Sequence, residues 1–257
     1  MSSSRAQVER IIASVANGSL SPSDATDEVS ATFGAHQFPS DGTDTPHVEE
    51  FLWTFWNQIL DTAEQQPETQ ERLIAFIKAL AVPDRPQSVF RIWGQEMRWQ
   101  DLALIGAVSR ERYNGVEDPS DPESVEKWVA LNAFLARLTA EKGLFMLYAI
   151  WTFRDAFEGP PSESTQLQSV NVRAAAAWIR FAGQRIHDSD EEFESGPTLG
   201  DPAAGGQKWT GKSGFDPARW ALWEEEFSQW AEDSSIDSTA RSDAAEAVQI
   251  MKQIGEK

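Results

Sequence analysis

The sequence predicts an all-α fold, a single multi-helix domain of about ten helices around a central apolar helix at 143–156. Three observations carry that reading. Apolar residues recur at three- and four-residue spacing wherever a pattern is legible, which is the period of a helix face. Helix starts share one grammar, a short capping side chain followed by Pro: Ser21-Pro22, Thr45-Pro46, Asp121-Pro122 and Asp216-Pro217. The cap oxygen accepts an orphan backbone N–H, and Pro at the first helical position has no N–H to lose. No segment shows clean period-two alternation, and there is no internal repeat or sustained heptad array.

From the N-terminus, a helical pair over roughly residues 3–35 forms an arm (1–43), expected to dock loosely through the polar linker FPSDGTD (38–44). The main domain is expected over 44–257. Its first helix carries Val48, Phe51, Leu52, Phe55, Ile59, Leu60 and Ala63 on one face. Leu73, Phe76, Ile77 and Leu80 trace the next, and Leu102, Ile105 and Gly106 a shorter one after Trp99. Val125, Trp128, Leu131, Leu135 and Leu138 form the stripe of a further helix. GLFMLYAIWTF (143–153) has no charge and is apolar on every side, as in a helix buried at the centre of a helical domain; it is too short to span a bilayer. After the break GPPSES (159–164), Val170–Ile186 reads as a helix with four alanines before Trp178, which suits close packing. Residues 188–215 are a long polar loop without period, a length usually tied to function or disorder. Helices at Pro217–Glu232 and Ser238–Ile254 close the chain.

Composition narrows the function classes. The net charge is −19 and no Lys/Arg stripe offsets it, so the chain is expected to bind neither nucleic acid nor an anionic membrane. There are 11 Trp but only 2 Tyr. The absence of Cys excludes disulfides, thiolate catalysis and cysteine-ligated metals. The N-terminal stretch has no apolar signal core and carries acidic residues, so the cytosol or nucleus is the expected location.

Few residues in the sequence carry recognisable chemistry. His36, His47 and His187 have no helical histidine partner, so no zinc-hydrolase ligand set is visible. The acidic run Asp188–Glu194 offers carboxylates for a divalent cation, yet it lacks a second cluster on a facing helix and reads as a solvated run. No GxSxG occurs, and the glycines at 205–214 do not follow a strand, so neither a nucleophile elbow nor a phosphate loop is indicated. No metal site and no cofactor are expected. The remaining candidates are polar groups set among apolar residues: Asn132 and Arg137 on the helix of Trp128, Arg154 and Asp155 at the end of the apolar helix, Trp178, and Arg219 beside Trp220. A buried arginine must find carboxylates or carbonyls, so these groups either pair with the protein or line a Trp-walled pocket for an anionic, partly apolar molecule.

GGQKWTGKSGFDPARWALWEEEF (205–227) joins a loop to a helix at Asp216-Pro217. Trp220, Trp223, Phe227 and Trp230 fall on one helix face, expected to be core, with Arg219 in reach of the Trp223 ring. Trp209, on a loop hinged by glycines, is either a staple or a binding residue.

Five segments carry a resemblance to a known family. They are LWTFWNQILDTAEQQPETQERLIAFIKAL (52–80), WGQEMRWQDLALIGAVSRERYNG (93–115), WVALNAFLARLTA (128–140), AIWTFRDAFE (149–158), and AAAAWIRFAGQRI (174–186) followed by 205–227. Their blocks W-x-x-L-N-x-F-x-A-R-L, R-D-A-x-E and G-G-x-x-W-x-G-x-x-G-F…R-W-x-x-W resemble an uncharacterised family of filamentous-fungal proteins, a domain of unknown function. One departure stands at Ala103, where the family has a helix-starting Pro. The resemblance implies a fungal source, an all-helical fold and no established activity; some members lie beside secondary-metabolite genes, an association rather than a mechanism. The leading expectation is a non-enzymatic intracellular binding or protein-interaction module, with an unknown protein or small molecule as partner. The alternative is a small-molecule carrier or enzyme of fungal secondary metabolism.

Overall fold

The structure is a computed structural model that describes residues 2–34, 43–82, 89–160, 162–198 and 200–256. His36, residues 38–42 of the expected linker, Pro161 of the proline break and Leu199 of the polar loop lie outside them. Ten α-helices and one two-stranded sheet make up the described residues, so the fold is predominantly all-α. No helix among them is long and apolar enough to cross a membrane. The chain divides into two compact units, Met1–Asn114 and Gly115–Lys257.

The first unit holds α1 (Ser2–Ala16), α2 (Pro22–Gly34), α3 (Pro46–Gln65), α4 (Gln70–Leu80) and α5 (Ile105–Arg112). The helices expected as an arm, α1 and α2, pack on α3 and α4 in this unit. The Arg72 Nη1 donates to the Ala16 carbonyl at 2.8 Å, capping the end of α1. Phe33, Phe51, Phe55 and Trp99 stack into one aromatic cluster.

A hairpin absent from the sequence reading lies here. β1 (Val89–Ile92) pairs antiparallel with β2 (Gln95–Arg98) through a two-residue turn, Trp93-Gly94. Both turn residues have positive φ, 54° and 73°, as this tight hairpin turn demands. Strands of four residues each give too little alternation to show in the sequence. Thr45, expected to cap α3, makes no such bond; its backbone N and Oγ1 both donate to the Arg91 carbonyl at 2.9 and 2.8 Å and cover the edge of β1. Leu102 and Leu104 flank Ala103 in left-handed conformation, and α5 starts only at Ile105. Such strain persists where packing over-determines it, and both leucines are buried while the Ala103 carbonyl accepts Trp56 Nε1 at 2.7 Å.

The second unit holds α6 (Pro122–Lys142), α7 (Met146–Phe153), α8 (Thr165–His187), α9 (Pro217–Glu232) and α10 (Ser238–Gly255). Helix α8 is its hub, packed on α6, α7, α9 and α10. Ala174–Ala177 are all buried, which lets neighbours approach closely. The apolar helix is shorter than expected at its start. Gly143, at φ +72°, ends α6, where a left-handed residue needs glycine, and α7 starts at Met146. Its far end widens into a π-helical turn, Arg154–Glu158. Three of the four Pro-preceding caps form as expected. Asp24 N donates to Ser21 Oγ, Ser124 N to Asp121 Oδ2, and Ala218 N to Asp216 Oδ1.

Candidate functional site

The conspicuous 205–227 stretch builds a closed charge knot in the second unit. Arg219 and Glu158 are both fully buried. Arg219 Nε donates to Glu158 Oε1 at 2.7 Å and Nη2 to Oε2 at 2.9 Å, a two-pronged ion pair. Nη1 donates to the carbonyls of Ala203 (3.0 Å) and Gly214 (2.7 Å), and Nη2 also to Ala204 (3.4 Å). A guanidinium has five N–H donors, so all are engaged. The carboxylate is equally full: Trp223 Nε1 donates to Oε1 and Gly206 N to Oε2, each at 2.8 Å. A buried charge without such partners costs several kcal/mol, and here none is left over.

The knot fixes the loop. Lys208 N donates to the Glu158 carbonyl, Trp151 Nε1 to Pro202 O at 2.8 Å, and Arg154 Nη1 to Ala204 O at 3.3 Å. Lys208 Nζ reaches both oxygens of the buried Glu226. A Cβ on Gly206 would stand 2.6 Å from the Glu158 carbonyl oxygen, so glycine here permits close backbone approach. Cβ atoms at Gly205 and Gly211 would collide with Trp209, which is half-buried and donates its Nε1 to Lys212 O at 2.9 Å. Trp220 and Trp223 are buried, Trp223 against Phe153 at 4.4 Å and Trp220 edge-on to His187. Phe215, before the cap, packs against Trp223 and Phe193.

A second knot centres on Asn132, fully buried. Its Oδ1 accepts Trp178 Nε1 at 2.8 Å and faces the Thr152 hydroxyl at 3.3 Å, while Nδ2 donates to Trp128 O at 2.9 Å. This ties α6, α7 and α8 together. Trp128 itself is half-buried. Arg137 lies over the Phe181 ring, 3.3 Å from its centroid, a cation–π contact. Asp155 leaves much of its surface in solvent, yet partial desolvation of its carboxyl outweighs the pull of Arg154 and raises its pKa.

The expected site residues therefore fall into separate places. Arg154, Trp209, Arg219 and Trp223 meet around Glu158 and the loop; Trp128, Asn132 and Trp178 meet around the second knot. Sequence reasoning missed Glu158, although it ends the R-D-A-x-E block, because its partner lies 61 positions away. An open pocket of about 630 Å³ occurs elsewhere, at the C-terminal ends of α6 and α8. Met146, Phe181 and Ala182 give it an apolar floor, Arg185, Asp188, Asp190 and Glu191 a charged rim, and no tryptophan lines it. A smaller pocket of about 310 Å³ sits near the starts of α8 and α10. Among the described residues no three His, Asp or Glu side chains converge to hold a metal.

An all-α chain whose second unit is tied by two buried polar knots, around Glu158 and Asn132, is a helical-domain protein. It belongs to the family described as "Protein of unknown function (DUF3632)", whose model matches residues 56–227. That span covers both knots and the 205–227 stretch. No curated protein and no solved structure matches the chain.

Proposed function

We propose that the protein is an intracellular, non-enzymatic helical binding protein that holds a small organic molecule in the pocket at the ends of α6 and α8. The carrying observation is that pocket: its volume of about 630 Å³ lies in the range of small-molecule sites, and it joins an apolar floor to a few convergent charged groups. By contrast, the Arg219, Glu158 and Asn132 polar atoms are taken up by the protein, which supports a structural role for them. A fungal source and a place in cytosol or nucleus rest on the sequence and its resemblance alone.

A thermal-shift screen of the full chain against a fungal metabolite extract tests the reading. A ligand at a hundred times its Kd raises stability by about 2.7 kcal/mol through mass action. Ala140 is half-buried and lines the pocket, so Ala140→Phe should keep the unliganded melting temperature within a few degrees and remove the shift. No shift across the whole screen overturns the proposal.

One observation favours a second reading, protein interaction through the first unit. Trp93 is 55% exposed at the hairpin tip, in left-handed conformation, with its Nε1 held by Glu49 at 3.0 Å. A rigid exposed tryptophan is the type of side chain that anchors interfaces. Crosslinking through a photoreactive group at position 93 that captured no protein in the source cell would remove this reading.

A further inference from the structure

The acidic run Asp188–Glu194 lies outside the two knots, and its first residues form the pocket rim. We propose that this pocket binds an organic cation: a protonated or quaternary amine carried on a small apolar body. The proposal rests on the reading of the pocket as a ligand site and names the chemistry of what enters it.

Three carboxylates on the rim, Asp188, Asp190 and Glu191, face one guanidinium, that of Arg185. Arg185 is already committed to the protein, its Nε donating to the Ala140 carbonyl at 3.0 Å. Asp188 is likewise committed, accepting from Gln184 Nε2 and meeting His187 Nδ1, each at 2.8 Å. The carboxylates of Asp190 and Glu191 take no hydrogen bond from the described residues. Two helices end at this place with the negative ends of their dipoles, α6 at Lys142 and α8 at His187, against the one positive end of α7, which starts at Met146. The three carboxylates outnumber Arg185 and the two helix C-termini outnumber the single N-terminus, so the balance of charge at the rim attracts a cation. Glu191 leaves much of its surface in solvent, yet partial desolvation pushes its carboxyl above the usual range despite Arg185, a cost that an adjacent ammonium offsets. Beneath the rim, Met146, Phe181 and Ala182 offer apolar surface for the body of the ligand. Arg137 already covers one face of Phe181, so the ligand's charge goes to the rim and its apolar part to the floor.

The test uses the full chain with isotope-labelled methionine methyls at low ionic strength. Met146 lines the pocket, whereas Met97 lies on β2 in the first unit and serves as the control. Three probes of one shape are titrated: phenethylammonium, neutral 2-phenylethanol and anionic 3-phenylpropionate. The expected result is a saturable Met146 shift with phenethylammonium, about tenfold weaker binding of the alcohol, and none of the carboxylate. The double variant Asp190→Asn/Glu191→Gln, at two exposed positions, should keep its melting temperature and bind phenethylammonium about tenfold more weakly, with the alcohol unchanged. If the alcohol or the carboxylate moves Met146 as strongly as the amine, the cation class is wrong while the pocket remains a ligand site. If no probe moves Met146 at millimolar concentration, or Met97 shifts equally, both the inference and the reading beneath it fall.

Discussion

The second unit contains two charged regions of opposite character. Around Glu158 and Arg219, every donor and acceptor is spent inside the protein, and both side chains are fully buried. At the ends of α6 and α8, carboxylates face an open cavity and two of them take no hydrogen bond from the described residues. The first region is built from the residues that stand out in the sequence: three tryptophans, four glycines and an arginine. The second is built from Met, Ala, Phe and a charge run that reads as ordinary surface. The contrast shows that the conspicuous residues here satisfy a buried charge, while the carboxylates without a hydrogen-bond partner among the described residues sit among plain ones.

The largest way to break this comparison is at the closed knot. Arg219→Met leaves the Glu158 carboxylate buried without its counter-charge and should cost about 3 to 5 kcal/mol in denaturant unfolding. The double variant Arg219→Met/Glu158→Leu should lose less than the sum of the two single changes, because the pair acts as a unit. A loss below about 1 kcal/mol for Arg219→Met would mean that the charges reach solvent.

Asn132→Ala comes next. It leaves the buried Trp178 Nε1 without its acceptor, and an orphaned buried donor together with a small cavity costs about 2 kcal/mol. Trp209→Ala follows at about 1 kcal/mol, since the ring is half-buried and packed over Gly205 and Gly211. Gly211→Ala should lose a similar amount by driving a Cβ into the same ring.

The smallest effect is electrostatic. Arg180 donates to Glu246 at 2.6 and 2.9 Å, and this hydrogen bonding holds the Glu246 carboxyl below its usual range. The folded state then binds the proton less tightly than the unfolded chain. The contribution is present above the ordinary glutamate range and is lost as pH falls through the lowered folded value. Glu246 is half exposed, so solvent screening limits it to a few tenths of a kcal/mol, measurable as a smaller acid-side slope in Glu246→Gln.

How much of this was legible depends on range along the chain. Helix faces and the caps at Ser21, Asp121 and Asp216 are local, and the sequence shows them. Thr45 has the same local signature but is claimed by Arg91, 46 positions away. The hairpin hid because its strands have four residues each and its turn is Trp-Gly rather than Asn-Gly. The core stripe was legible from spacing at Trp220, Trp223 and Phe227, which are buried, while Trp230, expected on the same face, stays partly exposed; Glu158, which anchors the stripe, was not legible, since pairing over such a distance leaves no periodic trace. The pocket had no local signal, because it arises where two helices stop side by side.

On the proposed reading, the ligand enters the open pocket and not the tryptophan–glycine loop. A phenethylammonium titration read at the Met146 methyl, in the wild type and in Trp209→Ala side by side, tests it most directly. The expected result is a lower melting temperature for the variant and the same Kd. A variant that kept its stability and lost binding would contradict it and move the site to Trp209.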